Sequence, residues 1–164
     1  MRGLKIVVLI PLLWLGSCKN KGLGDKKEII KTGKISLKVL KKYDWFGSEY
    51  KRYVPKEAYL DSIKGLSNYS ILIYGGDWCS DTKFYLPQFI KILDAVHFPE
   101  DRLSIYFVDR GKQCDKCGMQ SPEKYKITRV PTFIILDTEG NEKGRITESP
   151  IKSLEEDLAG MGVD

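Results

Sequence analysis

Four cysteines, Cys18, Cys79, Cys114 and Cys117, carry most of the reactive chemistry this sequence offers. Cys79 stands in Trp78-Cys79-Ser80-Asp81-Thr82, directly after a β-favouring run that ends at Gly75-Gly76 and directly before a helical pattern. A thiol at a helix N-terminus faces unpaired backbone N–H groups and the positive end of the helix dipole, which favour the thiolate, so Cys79 is the candidate nucleophile. Asp77 and Asp81 act in the opposite sense through charge repulsion. Cys114-Asp115-Lys116-Cys117 places two further thiols at Cys-x-x-Cys spacing, past a strand that ends at Val108-Asp109. That pair reads either as a disulfide stapling a loop in an oxidising compartment or as resolving thiols for Cys79. With His97 the only histidine, the loop cysteines fall short of the four ligands a structural zinc needs, and neither a metal nor a cofactor is implied.

Cys18 belongs to another kind of signal. Met1-Arg2-Gly3-Leu4-Lys5, an apolar run from Ile6 to Leu15 and then Gly16-Ser17-Cys18 follow the positive, apolar, small order of a secretory signal. A ten-residue helix spans only about 15 Å, half the hydrocarbon core, so cleavage is expected rather than a permanent transmembrane anchor. Leu15-Gly16-Ser17-Cys18 resembles a bacterial lipobox, which implies a signal peptide over 1–17, a diacylglyceryl Cys18 and stable retention on a membrane. Residues 18–34, rich in lysine and glycine and without hydrophobic periodicity, read as the lipidated cysteine and a flexible tether. The domain is expected over 35–164. The chain thus faces the periplasm or exterior in the bacterial cell envelope.

The elements that must position Cys79 follow from periodicity. Residues 35–46 form an ambiguous apolar segment, strand or helix. Residues 55–65 open with proline and close with glycine at helical spacing, which predicts a helix. Ser70-Ile71-Leu72-Ile73-Tyr74 is a continuous strand-forming run suited to burial on both faces. A helix over Ser80–Ala95 containing Pro87 follows, then a strand at 103–108, a short helix at 122–125, a strand at Thr132–Leu136 and a hairpin strand at 143–147. Ile151, Leu154 and Leu158 mark a closing helix capped near Ser149. Size admits one domain, and 42% hydrophobic with 30% charged residues is a globular composition. The formal charge of +5, or +3 without Arg2 and Lys5, is not a nucleic-acid footprint.

Ile71-Leu72-Ile73-Tyr74-Gly75-Gly76-Asp77-Trp78-Cys79, a helix, and then Arg129-Val130-Pro131-Thr132-Phe133-Ile134 before a glycine hairpin resemble the thioredoxin superfamily over roughly residues 55 to 160. The resemblance implies an α/β three-layer sandwich, a mixed central sheet with helices on both faces. It also implies that Pro131 is cis and faces the cysteine, and that Val130 and Pro131 offer backbone to an extended disulfide substrate. Trp78-Cys79-Ser80-Asp81-Thr82 with Leu86-Pro87-Gln88-Phe89 and Gly144-Arg145-Ile146-Thr147-Glu148-Ser149-Pro150 is similar to thioredoxin-family proteins with a Trp-Cys-x-Asp-Ser/Thr site.

Two departures stand out. Thr82 occupies the place of the second cysteine of a local dithiol, and Ile73 the place of the family's buried acid. Two readings follow. In one, Cys79 performs thiol–disulfide chemistry on protein thiols or disulfides, with Trp78, Asp81, Thr82, Val130 and Pro131 shaping the site and Cys114 or Cys117 resolving. In the other, the same surface holds an extended peptide or envelope partner without turnover, which Thr82 favours. The oligomeric state is left open.

Overall fold

The computed structural model describes residues 31–163. The signal segment 1–17, Cys18 and the tether as far as residue 30 lie outside the described residues. The elements are β1 (Gly33–Lys34), α1 (Leu37–Leu40), α2 (Asp44–Arg52), α3 (Glu57–Leu60), a 3₁₀ helix (Asp61–Asn68), β2 (Ser70–Gly75), α4 (Ser80–Ala95) and a 3₁₀ turn (Glu100–Arg102). β3 (Leu103–Phe107), β4 (Thr132–Leu136), β5 (Glu142–Thr147) and α5 (Leu154–Ala159) complete the chain.

The five strands lie in the order β1-β3-β2-β4-β5. β2 and β3 run parallel, and the remaining pairs are antiparallel. The sheet is therefore mixed, with β2 at its centre, and the fold is the α/β thioredoxin-like sandwich. Strand periodicity divides β2 between two cores: Ile71 and Ile73 point to one face, Leu72 and Tyr74 to the other, and all four are buried. On the first face Leu40, Phe46, Ile63, Leu86, Phe89 and Leu158 bring the helices onto the sheet. On the second face the cover is the segment 108–131, through Cys117, Ile127 and Val130.

Several elements differ from expectation. The short helix expected at 122–125 is a run of turns, so the second face is covered by irregular chain. The helix expected over 55–65 is four residues of α-helix followed by a 3₁₀ helix to Asn68. Ile63 and Leu66 explain the change, since a three-residue repeat stacks both on one edge, and both are fully buried. The closing helix begins later than expected. The Asp157 carboxylate accepts the amides of Ile151 and Lys152, and Ser153 caps the helix by accepting the Glu156 amide at 3.3 Å. The ambiguous 35–46 segment resolves into α1 and the start of α2. Gly33 and Lys34, placed at the end of the tether by composition, pair with Phe107 and Tyr106. Gly33 adopts φ +109°, and a Cβ there would lie 3.1 Å from the Lys116 Cβ, so this edge requires glycine.

Candidate functional site

The central strand β2 delivers Gly75 and Gly76 to the end of the sheet, and the chain turns through Asp77 and Trp78 to reach Cys79. The turn closes when the Cys79 amide donates to the Gly76 carbonyl at 3.0 Å. Cys79 is the N-cap of α4, with extended φ/ψ of −94° and 125°, and its side chain is partly exposed. The sixteen-residue α4 is set by Thr82, Leu86, Phe89, Ile90 and Leu93, a stripe at helical spacing that is buried against the sheet. It runs through Pro87 to Ala95. Thiol position is thus fixed by a buried strand on one side and a buried helix on the other.

Opposite the sulfur stands the approach to β4. The Val130–Pro131 peptide is cis, and the Cys79 thiol donates to the Val130 carbonyl at 3.2 Å. This approach is braced three times. The Thr132 hydroxyl donates to the Arg129 carbonyl at 2.7 Å, the Glu148 amide to the Pro131 carbonyl at 2.7 Å, and Arg129 pairs with the Glu148 carboxylate at 2.5 Å.

Trp78 forms the third wall. Its indole N–H donates to the Val108 carbonyl at 2.8 Å, tying the cysteine loop to the end of β3. The Arg110 guanidinium and the Lys112 ammonium lie 5.1 and 5.7 Å from the indole centroid, within cation–π range. A Cβ on Gly76 would come within 2.6 Å of the indole nitrogen, so the ring's seat depends on that glycine. Between these walls lies a cleft of about 110 Å³ lined by Trp78, Cys79, Asp81, Lys112, Arg129, Val130 and Glu148. A larger depression of about 390 Å³ opens at the other end of the sheet, around Arg102, Gln120 and Asp137, and contains none of the sequence-predicted site residues.

The structure brings Cys79, Trp78, Asp81, Val130 and Pro131 together. Thr82 stands apart from the cleft: it is fully buried and its hydroxyl oxygen accepts the Gly76 amide at 3.3 Å. Lys83 also faces elsewhere, into a groove with Trp45 and Phe84. Cys114 and Cys117 form a disulfide with a Cα–Cα distance of 5.5 Å, and Cys79 is the free thiol of the described residues. The disulfide packs into the second core, against which Trp78 and Cys79 also rest. No three His, Cys, Asp or Glu side chains converge as a metal site among the described residues. Sequence reading missed Lys112 and Arg110. Their signal was position, since they follow the C-terminal end of the strand beside β2, where loops gather on the Cys79 side of the sheet.

A mixed sheet centred on β2, a helix capped by cysteine at the end of that strand, and a cis-proline approach opposite the sulfur define a thioredoxin-like domain whose cysteine has no partner three residues on. The thioredoxin family's sequence model matches residues 47–158, more than half of the chain, and the chain belongs to that family. No curated protein matches it. Similar solved structures include a protein of unknown function from Pseudomonas aeruginosa, 15% identical over 71% of this chain and 78% of that one, with a TM-score of 0.47. An HIV epitope-scaffold is 16% identical over 71% of this chain and 70% of its own, with a TM-score of 0.43.

Proposed function

We propose that this chain is a thiol–disulfide redox protein working through a single cysteine, Cys79, and tethered to a membrane of the bacterial envelope by lipid on Cys18. The observation that carries the redox reading is the partly exposed Cys79 sulfur at the N-cap of α4, 3.2 Å from the Val130 carbonyl and flanked by Trp78. After loss of its proton to solvent, the Cys79 sulfur attacks one sulfur of a substrate disulfide. A Cys79 mixed disulfide forms, and the second substrate sulfur leaves as thiolate. A low-molecular-weight thiol then attacks the substrate sulfur of that mixed disulfide, releasing Cys79 and carrying the substrate sulfur away in a new disulfide. When Cys114 and Cys117 are both reduced, one of them instead attacks the Cys79 sulfur and releases the substrate sulfur as thiolate, and the other then displaces Cys79 as thiolate by closing the Cys114–Cys117 disulfide. The lipobox-like Leu15-Gly16-Ser17-Cys18 supports the tether, and the +5 charge gives no reason to invoke nucleic acid.

One observation favours a second reading, a binding module for an extended peptide: Thr82 is buried and hydrogen-bonded where a local resolving thiol would stand. The test is exchange between a peptide disulfide and glutathione, with mass spectrometry of the trapped adduct. Redox function requires an adduct at Cys79 and loss of catalysed exchange in Cys79→Ser. Capture of peptide that survives Cys79→Ser, with no catalysed exchange in either protein, would establish the binding module instead.

A further inference from the structure

Charge is divided unevenly along this chain. Residues 31–56, which form β1, α1 and α2, hold eight basic and two acidic side chains, net +6, whereas residues 57–164 hold 13 basic and 18 acidic, net −5. All eight basic side chains of the first group are exposed. Lys38, Lys41 and Lys42 recur at i, i+3 and i+4, which places them on one side of the α1 turn, and Lys51 and Arg52 follow at the end of α2. Val39, 41% exposed, lies among the lysines, and Tyr43 and Trp45, both half-buried, form a tilted pair 5.2 Å apart at the start of α2, the Tyr43 hydroxyl turned inward. Basic side chains set around an exposed valine and a half-exposed tryptophan suit the headgroup region of a bilayer.

The site of chain entry points the same way. With the signal peptide removed, residues 18–30 hold four basic and two acidic side chains, net +2, and join the described chain at Lys31, whose ammonium lies 4.8 Å from the Tyr43 ring centroid. A bilayer that held the N-terminal segment would therefore meet the basic face first.

We infer that the α1–α2 face is a docking surface for anionic phospholipid headgroups. Attraction at this face and repulsion of the acidic remainder would orient the domain on the membrane. The inference rests on the tether reading only for what brings the domain to a bilayer, and it is independent of the chemistry of Cys79.

The test reconstitutes the full chain, purified from membranes, into phosphatidylcholine vesicles with or without about one-third phosphatidylglycerol, and follows acetylation of each lysine by mass spectrometry. Lys38, Lys41, Lys42 and Lys51 should react at least about threefold more slowly with phosphatidylglycerol present, while Lys143 and Lys152 are unchanged. The protection should vanish near 0.5 M salt, where the screening length falls to roughly 4 Å. In Lys38→Glu/Lys41→Glu/Lys42→Glu, all exposed positions, the protection of Lys51 should also disappear. Equal reactivity on both vesicles, or equal protection of Lys143 and Lys152, would overturn the inference. Protection by a poly-glutamate peptide but not by phosphatidylglycerol would also overturn it and assign the face to an acidic protein. The intact mass of the same sample reports separately whether Cys18 carries lipid.

Discussion

The hydroxyl oxygen of Thr82 accepts the Gly76 amide at 3.3 Å in a fully buried setting, so the position that would hold a second cysteine instead braces the loop that presents the first. Removing that acceptor leaves a buried N–H without a partner. Thr82→Val keeps the shape and is expected to lower stability by about 1–3 kcal/mol, read as a shift in the urea midpoint at constant slope. An unchanged midpoint would mean that the hydroxyl does not support the loop.

Gly76 seats the indole of Trp78. A methyl group there would meet the indole nitrogen at 2.6 Å, too close for any side chain to tolerate without movement. Gly76→Ala is expected to break the 2.8 Å bond from Trp78 to the Val108 carbonyl and uncover Cys79. Iodoacetamide should then alkylate Cys79 several-fold faster than in the parent, because the wall of the cleft has moved. A rate equal to that of the parent would show that Trp78 does not govern access to the sulfur.

Much of this site is legible in sequence for reasons that can be named. β2 and α4 are buried on long apolar runs, and the cysteine lies at the junction of two periods, where a strand pattern of two gives way to a helical one. Family resemblance supplied the link to Val130 and Pro131, 51 residues away along the chain, which no local pattern reveals. What was not legible depends on contacts between distant segments. The segment 108–131 has no period, so its turns and the placement of Lys112 over Trp78 emerge only in three dimensions. The late start of α5 comes from Asp157 folding back on Ile151 and Lys152, a side-chain competition that periodicity does not register. Glu155 left a faint trace, an acid three residues before Leu158 on the buried stripe of α5.

Four tyrosines set an alkaline limit on stability. Burial, followed by the hydrogen bond to Asp94, pushes the Tyr50 phenol up to about 12. Burial is also the leading cause of the upward shifts of Tyr53, Tyr74 and Tyr106, with Glu155 adding to the first and Tyr125 to the other two. Each is raised in the folded state, so its contribution is complete below the unfolded value of about 10 and is lost as pH climbs toward the folded value. Stability should therefore be flat from neutrality to about pH 10 and fall above it. Absorbance titration at 295 nm should show a late-ionising group of phenols that becomes ordinary in urea, and Tyr50→Phe should remove one member. Early ionisation of all tyrosines in the folded protein would contradict this account.

Glu155 joins the two ends of the domain. Its side chain is fully buried on α5, and one carboxylate oxygen accepts both the Tyr53 hydroxyl at 2.7 Å and the Lys56 amide at 2.9 Å. Those donors sit in the connection from α2 to α3, about a hundred residues away in sequence, so the carboxylate fixes a joint that no backbone ladder reaches. Glu155→Leu strips the acceptor from both donors and is expected to cost about 2–4 kcal/mol, partly offset by the apolar side chain that replaces it. A double-mutant cycle isolates the bond itself. Tyr53→Phe should destabilise the parent but matter much less once Glu155→Leu is present, giving a coupling of about 0.5–3 kcal/mol between the two positions. Strict additivity in urea denaturation would mean that the two side chains act separately, and the joint would then owe its geometry to the packing of Leu154 and Leu158 alone.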